Sequence, residues 1–360
     1  MVQRALLDTR LAVRRALAEW RAADLAGDGS AGAAPLVLVA LSGGPDSLAL
    51  AAATAHEAGR AGLRAGALVI DHGLQEGSAG VADRAAHQAE QLGLAPVMVD
   101  RVRVEDGGGG PEANARSARY EAFARAAERT GAAAILTAHT RDDQAEQVLL
   151  ALARGSGSRS LAGIPPRRRL AETSSGTAIL RPFLASPPEI TRATTESACA
   201  EAGLDPWRDP HNHDAAFARV RVRERVLPLL VRELGPGVPA ALARTADLAR
   251  EDADALDGIA EGIAAAALAE PGPQPAASDR AALMVADLAP LPAALLARVI
   301  RLVADRRFGA QLSREHTAAV AALVADWHGQ GPVYAPGVRV SRAGSQLEFV
   351  RQTGSPRAPR

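Results

Sequence analysis

The chain of 360 residues contains no lysine, so all 41 of its basic residues are arginine. That absence removes several chemistries. A G-x-x-x-x-G-K-[ST] phosphate loop needs its lysine, and a Schiff base with pyridoxal phosphate or a carbonyl substrate needs a lysine amine. Any phosphate bound here must be met by arginine, backbone N–H groups, a helix N-terminus or a metal. Cysteine is nearly absent too. Cys199 alone cannot form an intramolecular disulfide, a C-x-x-C redox pair or a four-cysteine zinc site. Aromatics are 3% of the chain, so the core must be built mostly from Ala, Leu and Val. There is no apolar run of about 18 or more residues to suggest a membrane span, and no ordered n-region, apolar stretch and cleavage site at the N-terminus. The expectation is a cytoplasmic protein with no membrane partner.

What is present reads as a globular protein. Apolar types make up 48% and charged types 23%, the usual mixture for folded domains. At roughly 100–200 residues per domain the length suits two or three. The arginines are balanced by 41 Asp and Glu, giving zero net charge. The balance is uneven along the chain. Residues 245–290 hold two Arg against nine acids, and residues 291–360 hold ten against four. Arg-rich segments at 154–169, 219–232 and 298–314 stay available to an anionic partner.

Residues 3–27 read as an amphipathic helix. Apolar runs at 35–41, 65–70, 95–100 and 132–138 read as buried strands, alternating with helices at 46–59, 78–93, 111–130 and 141–153. This alternation predicts an α/β fold with βαβ units and a mostly parallel sheet. A helix is expected to begin at the Ser186-Pro187-Pro188-Glu189 capping box and stop at Gly203. Residues 215–234 read as helical despite Pro228, a residue able to kink or break a helix. From 238 to 330 the pattern is helical with breaks near 271–277, 289–292 and 309–312, and 338–350 suits a hairpin about Ala343-Gly344-Ser345. The expected divisions are 1–235, 236–352 and a disordered tail over 353–360.

Several strings fall where ligands bind in such folds, beyond the carboxyl ends of strands. Ser42-Gly43-Gly44-Pro45-Asp46-Ser47 joins the first strand to a helix. Its glycines let backbone N–H groups turn inward, its serines offer hydroxyls to phosphate, and Asp46 can orient a metal. The plain alternative is a Gly-Pro turn with a capping residue. Asp71-His72-Gly73-Leu74-Gln75 follows the second strand. In Glu112-Ala113-Asn114-Ala115-Arg116-Ser117-Ala118-Arg119-Tyr120, Arg116 stands four residues from both Glu112 and Tyr120, which alone would suit a surface pair. His139, Asp142, Asp143 and Glu146 share one helical face after the fourth strand, a spacing able to hold Mg²⁺ through oxygens. Thr140-x-x-Asp143 is also a capping box, and both roles are compatible. Gly155 to Pro166 reads as a basic phosphate-touching loop or a plain linker, and Trp207 to Pro228 carries Arg208, Arg219, Arg221, Arg223 and Arg225.

These blocks, in order over about residues 35–235, resemble the tRNA(Ile)-lysidine synthetase family of the ATP pyrophosphatase (PP-loop) superfamily. Ser-Gly-Gly-x-Asp-Ser is similar to its pyrophosphate loop, and the His139–Glu146 string to its His-x-x-Asp-Asp-Gln-x-Glu block. The Glu112–Tyr120 string resembles its Glu-x-x-Ala-Arg-x-x-Arg-Tyr block, and Arg181-Pro182-Phe183-Leu184 its Arg-Pro-φ-Leu block. Gln75 stands where the family usually has arginine, and His211 where Ser is common.

The resemblance implies a parallel-sheet, adenine-nucleotide alpha-hydrolase-like N-terminal domain, a mostly helical C-terminal tRNA domain and a short terminal hairpin. It implies a ligase that uses ATP and Mg²⁺ to join free L-lysine to the wobble cytidine of tRNA(Ile) with a CAU anticodon. Carried over residue by residue, Asp46, Arg116, His139 and Asp143 are the catalytic candidates. Ser42, Gly43, Gly44, Pro45, Asp46, Ser47, Asp71 and His72 would bind ATP, and Asp46, Asp142 and Asp143 the metal. Arg119, Arg159, Arg208, Arg219 and Arg223 would meet tRNA. The oligomeric state stays open, a homodimer included. Two other readings stand beside this one: a PP-loop ligase with a different nucleophile, and an RNA-binding sensor on a degenerate nucleotide fold. Related tRNA thiolases typically need paired cysteines, and this chain has one.

Overall fold

A computed structural model of the chain describes residues 3–24, 33–71, 73, 77–102, 111–155, 157–170, 173, 176–209, 214–268 and 279–352. His72, Gln75, His211 and the expected tail over 353–360 lie outside the described residues, as does the Glu112 side chain. Two compact units emerge, residues 1–250 and 251–360.

The first unit begins with α1 (Arg4–Asp24), β1 (Leu36–Leu41), α2 (Pro45–Glu57), β2 (Arg64–Asp71), α3 (Ser78–Gln91) and β3 (Val97–Arg101). It continues through α4 (Pro111–Thr130), β4 (Ala134–Leu136), α5 (Arg141–Ala153), α6 (Ser158–Leu161), β5 (Arg167–Arg169), β6 (Ala178–Leu180) and α7 (Arg192–Ala202). Then come α8 (Ala218–Arg221), α9 (Leu227–Leu234) and α10 (Val238–Leu268), the last crossing from one unit into the next. The sheet order is β3-β2-β1-β4-β6-β5, parallel except for β5. Strands buried on both faces need apolar residues at every position, and β1 (Leu-Val-Leu-Val-Ala-Leu) supplies them. Its alternate residues divide between two cores. Val37, Val39 and Leu41 pack with α1, α2, α3 and α7, whereas Leu36 and Leu38 pack with Phe123 and Ala127 of α4. Successive strands run from β1 out to β3 and then return to β4 on the other side of β1. The carboxyl ends of β1 and β4 therefore flank the switch point where such sheets bind ligands.

The second unit holds β7 (Arg280–Met284), α11 (Val285–Leu288), α12 (Ala293–Phe308), α13 (Arg314–Ala325), β8 (Val333–Ala335), β9 (Val338–Ala343) and β10 (Gln346–Arg351). The hairpin expected at 338–350 is β9–β10, but it lies within a four-stranded antiparallel sheet, β7-β10-β9-β8. Residues 280–284, expected to be helical, form a strand because Ala281 and Leu283 enter the core while their neighbours face out.

One local expectation is corrected and another is refined. The helix expected from Ser186 starts at Arg192, since Pro187 and Pro188 keep the chain out of helical geometry. Thr191 and Thr194 cap it reciprocally, each backbone N–H donating to the other hydroxyl at 3.3 Å. The segment around Pro228 continues as helix through a π turn over residues 222–226. Such a wide turn accommodates the missing proline N–H.

Candidate active site

One cavity of about 430 Å³ opens at the carboxyl edge of the parallel sheet. Its lining brings together Ser42, Gly44, Asp46 and Ser47 after β1, Asp71 at the end of β2, Arg116, Arg119 and Tyr120 of α4, and His139 and Asp143 after β4. Trp207 and Asp209 close another side.

The loop after β1 is tied by its serines. The Ser47 hydroxyl receives the Ser42 N–H at 3.1 Å, donates to the Gly44 carbonyl at 3.0 Å and lies 3.1 Å from the Ser42 hydroxyl. Gly43 has φ +82°, a conformation that favours glycine. Its carbonyl accepts the Trp207 N–H at 2.9 Å, which fixes the loop against the 204–209 segment. Pro45 starts α2 where its missing N–H costs nothing.

Asp46 stands in the first turn of α2, and its carboxylate meets the Thr195 hydroxyl of α7. Burial and the neighbouring Asp143 push its pKa up to about 6, against the opposing pull of the Thr195 hydrogen bond, Arg192 and Arg223. Thr195 has one hydroxyl proton and two acceptors nearby, Asp46 and the Arg192 carbonyl at 2.8 Å. Both contacts are satisfied together when Asp46 is protonated and donates to Thr195. Cys199, below the loop, is inert: burial and Asp46 push its thiol up to about 12.

The acidic cluster behaves differently from the expected metal cage. Asp143 caps α5, accepting the Thr140 N–H at 2.8 Å, and its other oxygen takes Arg192 at 2.9 Å. Burial raises its pKa, but Arg192 and Arg219 outweigh that and hold the carboxyl well below the usual range. Asp142 is absent from the cavity lining and accepts the Arg192 backbone N–H at 2.8 Å. Glu146, fully buried, is held by three guanidiniums: Arg192 at 2.8 Å, Arg219 at 2.9 Å and Arg223 at 2.8 Å. Among the described residues no group of three or more His, Cys, Asp or Glu side chains could hold a metal. Of the three carboxylates expected to hold a metal, Asp46 and Asp143 line the cavity, alongside Asp71 and Asp209. One or two carboxylates fit Mg²⁺ carried by phosphates, the usual mode for that ion.

His139 is partly buried, with Nδ1 3.1 Å from the Thr137 hydroxyl. Burial, with Arg181, Arg219 and Arg119, holds its pKa far below the ordinary imidazole value against the pull of Asp143. It is a neutral hydrogen-bonding group at neutral pH. Asp71 accepts the Gly73 N–H at 3.0 Å and lies 3.5 Å from Arg101.

The expected tRNA arginines scatter. Arg119 lines the cavity, Arg159 is exposed on α6, and Arg208 lines a neighbouring groove with Arg84 and Gln88. Arg219 and Arg223 turn inward onto Glu146. Sequence reasoning missed Arg192 and Thr195. A Thr-rich helix start reads as capping alone, and their partners are more than forty residues away.

Comparison with known proteins agrees with this fold. Residues 20–230 match the PP-loop domain family, and residues 283–347 match the TilS substrate binding domain. The tRNA(Ile)-lysidine synthase of Leifsonia xyli subsp. xyli is 57% identical over 319 residues, covering 88% of this chain and 90% of the relative. That of Thermobifida fusca is 49% identical, covering 92% and 93%. Among solved structures, the U34-tRNA thiolase NcsA from Methanococcus maripaludis shares the fold at a TM-score of 0.53 and 15% identity, covering 69% of this chain and 81% of that one.

Proposed function

Since the chain belongs to the tRNA(Ile)-lysidine synthase family, we propose that it joins free L-lysine to C2 of the wobble cytidine of tRNA(Ile) with a CAU anticodon. In the first step the C2 oxygen attacks the α-phosphorus of ATP and pyrophosphate leaves. In the second, the lysine ε-amine, having lost a proton, attacks C2 and expels AMP. Adenylation turns a poor leaving oxygen into a good one.

The observation that carries this reading is the single cavity joining the Ser42–Ser47 loop, Asp71, Arg116 and His139 at one sheet edge. In it, Ser42, Gly43, Gly44 and Ser47 receive the pyrophosphate through hydroxyls and backbone N–H groups. Arg116 stabilises negative charge at the reacting centre, and neutral His139 acts by hydrogen bonding. Asp46, with Asp143 beside it, would hold Mg²⁺ brought by the triphosphate, and the ion would supply charge neutralisation to the departing pyrophosphate. Asp142 is left out of the metal set. The second unit, with its match to a substrate binding domain, engages tRNA. No single helix among the described residues is long and apolar enough to cross a membrane, which is compatible with a cytoplasmic location alongside tRNA.

The test is incubation with labelled lysine, ATP, Mg²⁺ and a tRNA(Ile) transcript. The expected result is label in the RNA with release of AMP and pyrophosphate. ATP cleavage without labelled RNA would instead favour a PP-loop ligase with another nucleophile.

A further inference from the structure

Tyr120, to which the reaction described above gives no role, sits at the centre of an arginine cluster. Its hydroxyl oxygen receives Arg116 at 3.3 Å and Arg181 at 3.1 Å. The Arg116 guanidinium also lies 5.0 Å from the ring centroid, and that of Arg168 lies 4.1 Å from it. Three cations therefore share one phenol. Among the described residues none of the three pairs with a carboxylate. Arg181 is 1% exposed. It follows β6, so it stands at the same sheet edge as the cavity, and it donates to the Pro165 carbonyl at 2.7 Å. Its Nε has no partner. An arginine cannot shed its charge on burial as a lysine can, so this guanidinium depends on the Pro165 carbonyl and the phenol oxygen.

The arrangement forms a relay in space: Pro165 carbonyl, Arg181, Tyr120, Arg116. Arg181 is immobile because it is enclosed. Tyr120 is fixed by Arg181 and by an edge-to-face contact with Phe123 at 5.5 Å. Arg116 is exposed, and its long side chain gains one defined rotamer from the phenol oxygen and the ring face. We propose that Tyr120 is the positioning residue of Arg116, holding its guanidinium at the cavity wall with Arg181 as the fixed support. Tyr120 acts through Arg116 and need not touch substrate. This rests on the reading of Arg116 as a group that stabilises charge in the reaction.

The test is a double-mutant cycle on kcat for lysidine formation. Tyr120→Phe keeps the ring and removes the oxygen. It is expected to lower kcat about tenfold, the worth of one hydrogen bond to a charged group, with KM for ATP little changed. In an Arg116→Ala background the same change should cost nothing further. Equal losses in both backgrounds, or no loss in either, would overturn the proposal. Full activity of Arg116→Ala alone would instead remove the role given to Arg116.

A second measurement does not depend on Tyr120→Phe folding. The chain has two tyrosines, so in Tyr334→Phe the absorbance of ionised phenol reads Tyr120 alone. Burial raises the pKa of this phenol, but Arg181, Arg116 and Arg168 outweigh it and leave the value lowered. Adding Arg116→Ala should move the alkaline midpoint up. An unmoved midpoint would show that Arg116 does not rest on the phenol, and the proposal would fail.

Discussion

Replacing Asp46 by Asn should stabilise the nucleotide-free protein while removing its activity. The pKa of Asp46 rises from 3.8 to about 6 in the fold, chiefly through burial and then through Asp143. Below pH 3.8 the carboxyl is protonated in folded and unfolded chains alike and pH has no leverage through this residue. Between about 4 and 6 the unfolded chain ionises first, so the folded state loses stability as pH rises. Above about 6 the full penalty is present. A shift of about two units at 1.36 kcal/mol each gives a ceiling of about 3 kcal/mol. Asn carries no charge to desolvate, and its amide N–H can donate to the Thr195 hydroxyl as the protonated carboxyl does. At roughly 2–4 °C per kcal/mol for a unit of this size, the melting temperature at pH 8 should rise by up to about 6–12 °C. The assay is thermal or urea unfolding of both proteins without nucleotide from pH 4 to 8. The gain should shrink steadily as pH falls from 6 to 4. An Asn variant no more stable at pH 8, or equally stabilised at pH 4, would refute the reasoning.

Glu146→Gln should destabilise the first unit by about 3–5 kcal/mol, because three guanidiniums would face a neutral amide in a buried site; chemical denaturation reads this directly. His139 should remain neutral from pH 8 down to 5 by imidazole NMR. Because its folded pKa is depressed by burial and by Arg181, Arg219 and Arg119, its contribution to stability should be lost as pH falls below the unfolded value of about 6.5. Gly66→Ala should cost about 1–3 kcal/mol or more. A β-carbon there would meet the Pro96 carbonyl oxygen at 2.5 Å and Leu38 at 2.9 Å, so β2 would have to shift; a lower urea midpoint is the check.

The parallel sheet was legible because its strands announce themselves locally. A strand covered on both faces must be apolar throughout, and 36–41 and 65–70 are. The Thr140–Asp143 capping box was legible for the same reason, since both partners lie within one turn. What failed depends on pairing at a distance. Arg280–Met284 is rich in good helix formers, and β10, more than sixty residues later, makes it a strand. The acidic face at 139–146 has spacing suited to a metal, yet spacing does not reveal the opposing charges. Arg192, Arg219 and Arg223 arrive from α7, α8 and the π turn and form a salt-bridged hub on Asp143 and Glu146. The two oxygens of Asp143 show how capping and electrostatics divide one side chain, one serving Thr140 and the other Arg192.

The missing lysine bears on how this site responds to pH. A buried lysine can discharge by losing its proton, but a guanidinium stays charged and must be solvated by the protein. The chain does so for Arg141, which reaches the Leu184 carbonyl at 3.1 Å and Asp247 at 2.7 Å, and for Arg181, which reaches the Pro165 carbonyl and Tyr120. The positive charges around the cavity are therefore constant across the working range. His139 is held neutral and Asp143 is held ionised by those same charges. Asp46, at about 6, is the cavity carboxylate moved towards neutrality. It sits in the loop proposed to receive the phosphates, where an ionised carboxylate is needed to hold Mg²⁺. Activity lost on acidification should therefore follow Asp46 protonation, with a midpoint near 6 in the free enzyme and lower once a magnesium-bound triphosphate favours the ionised form.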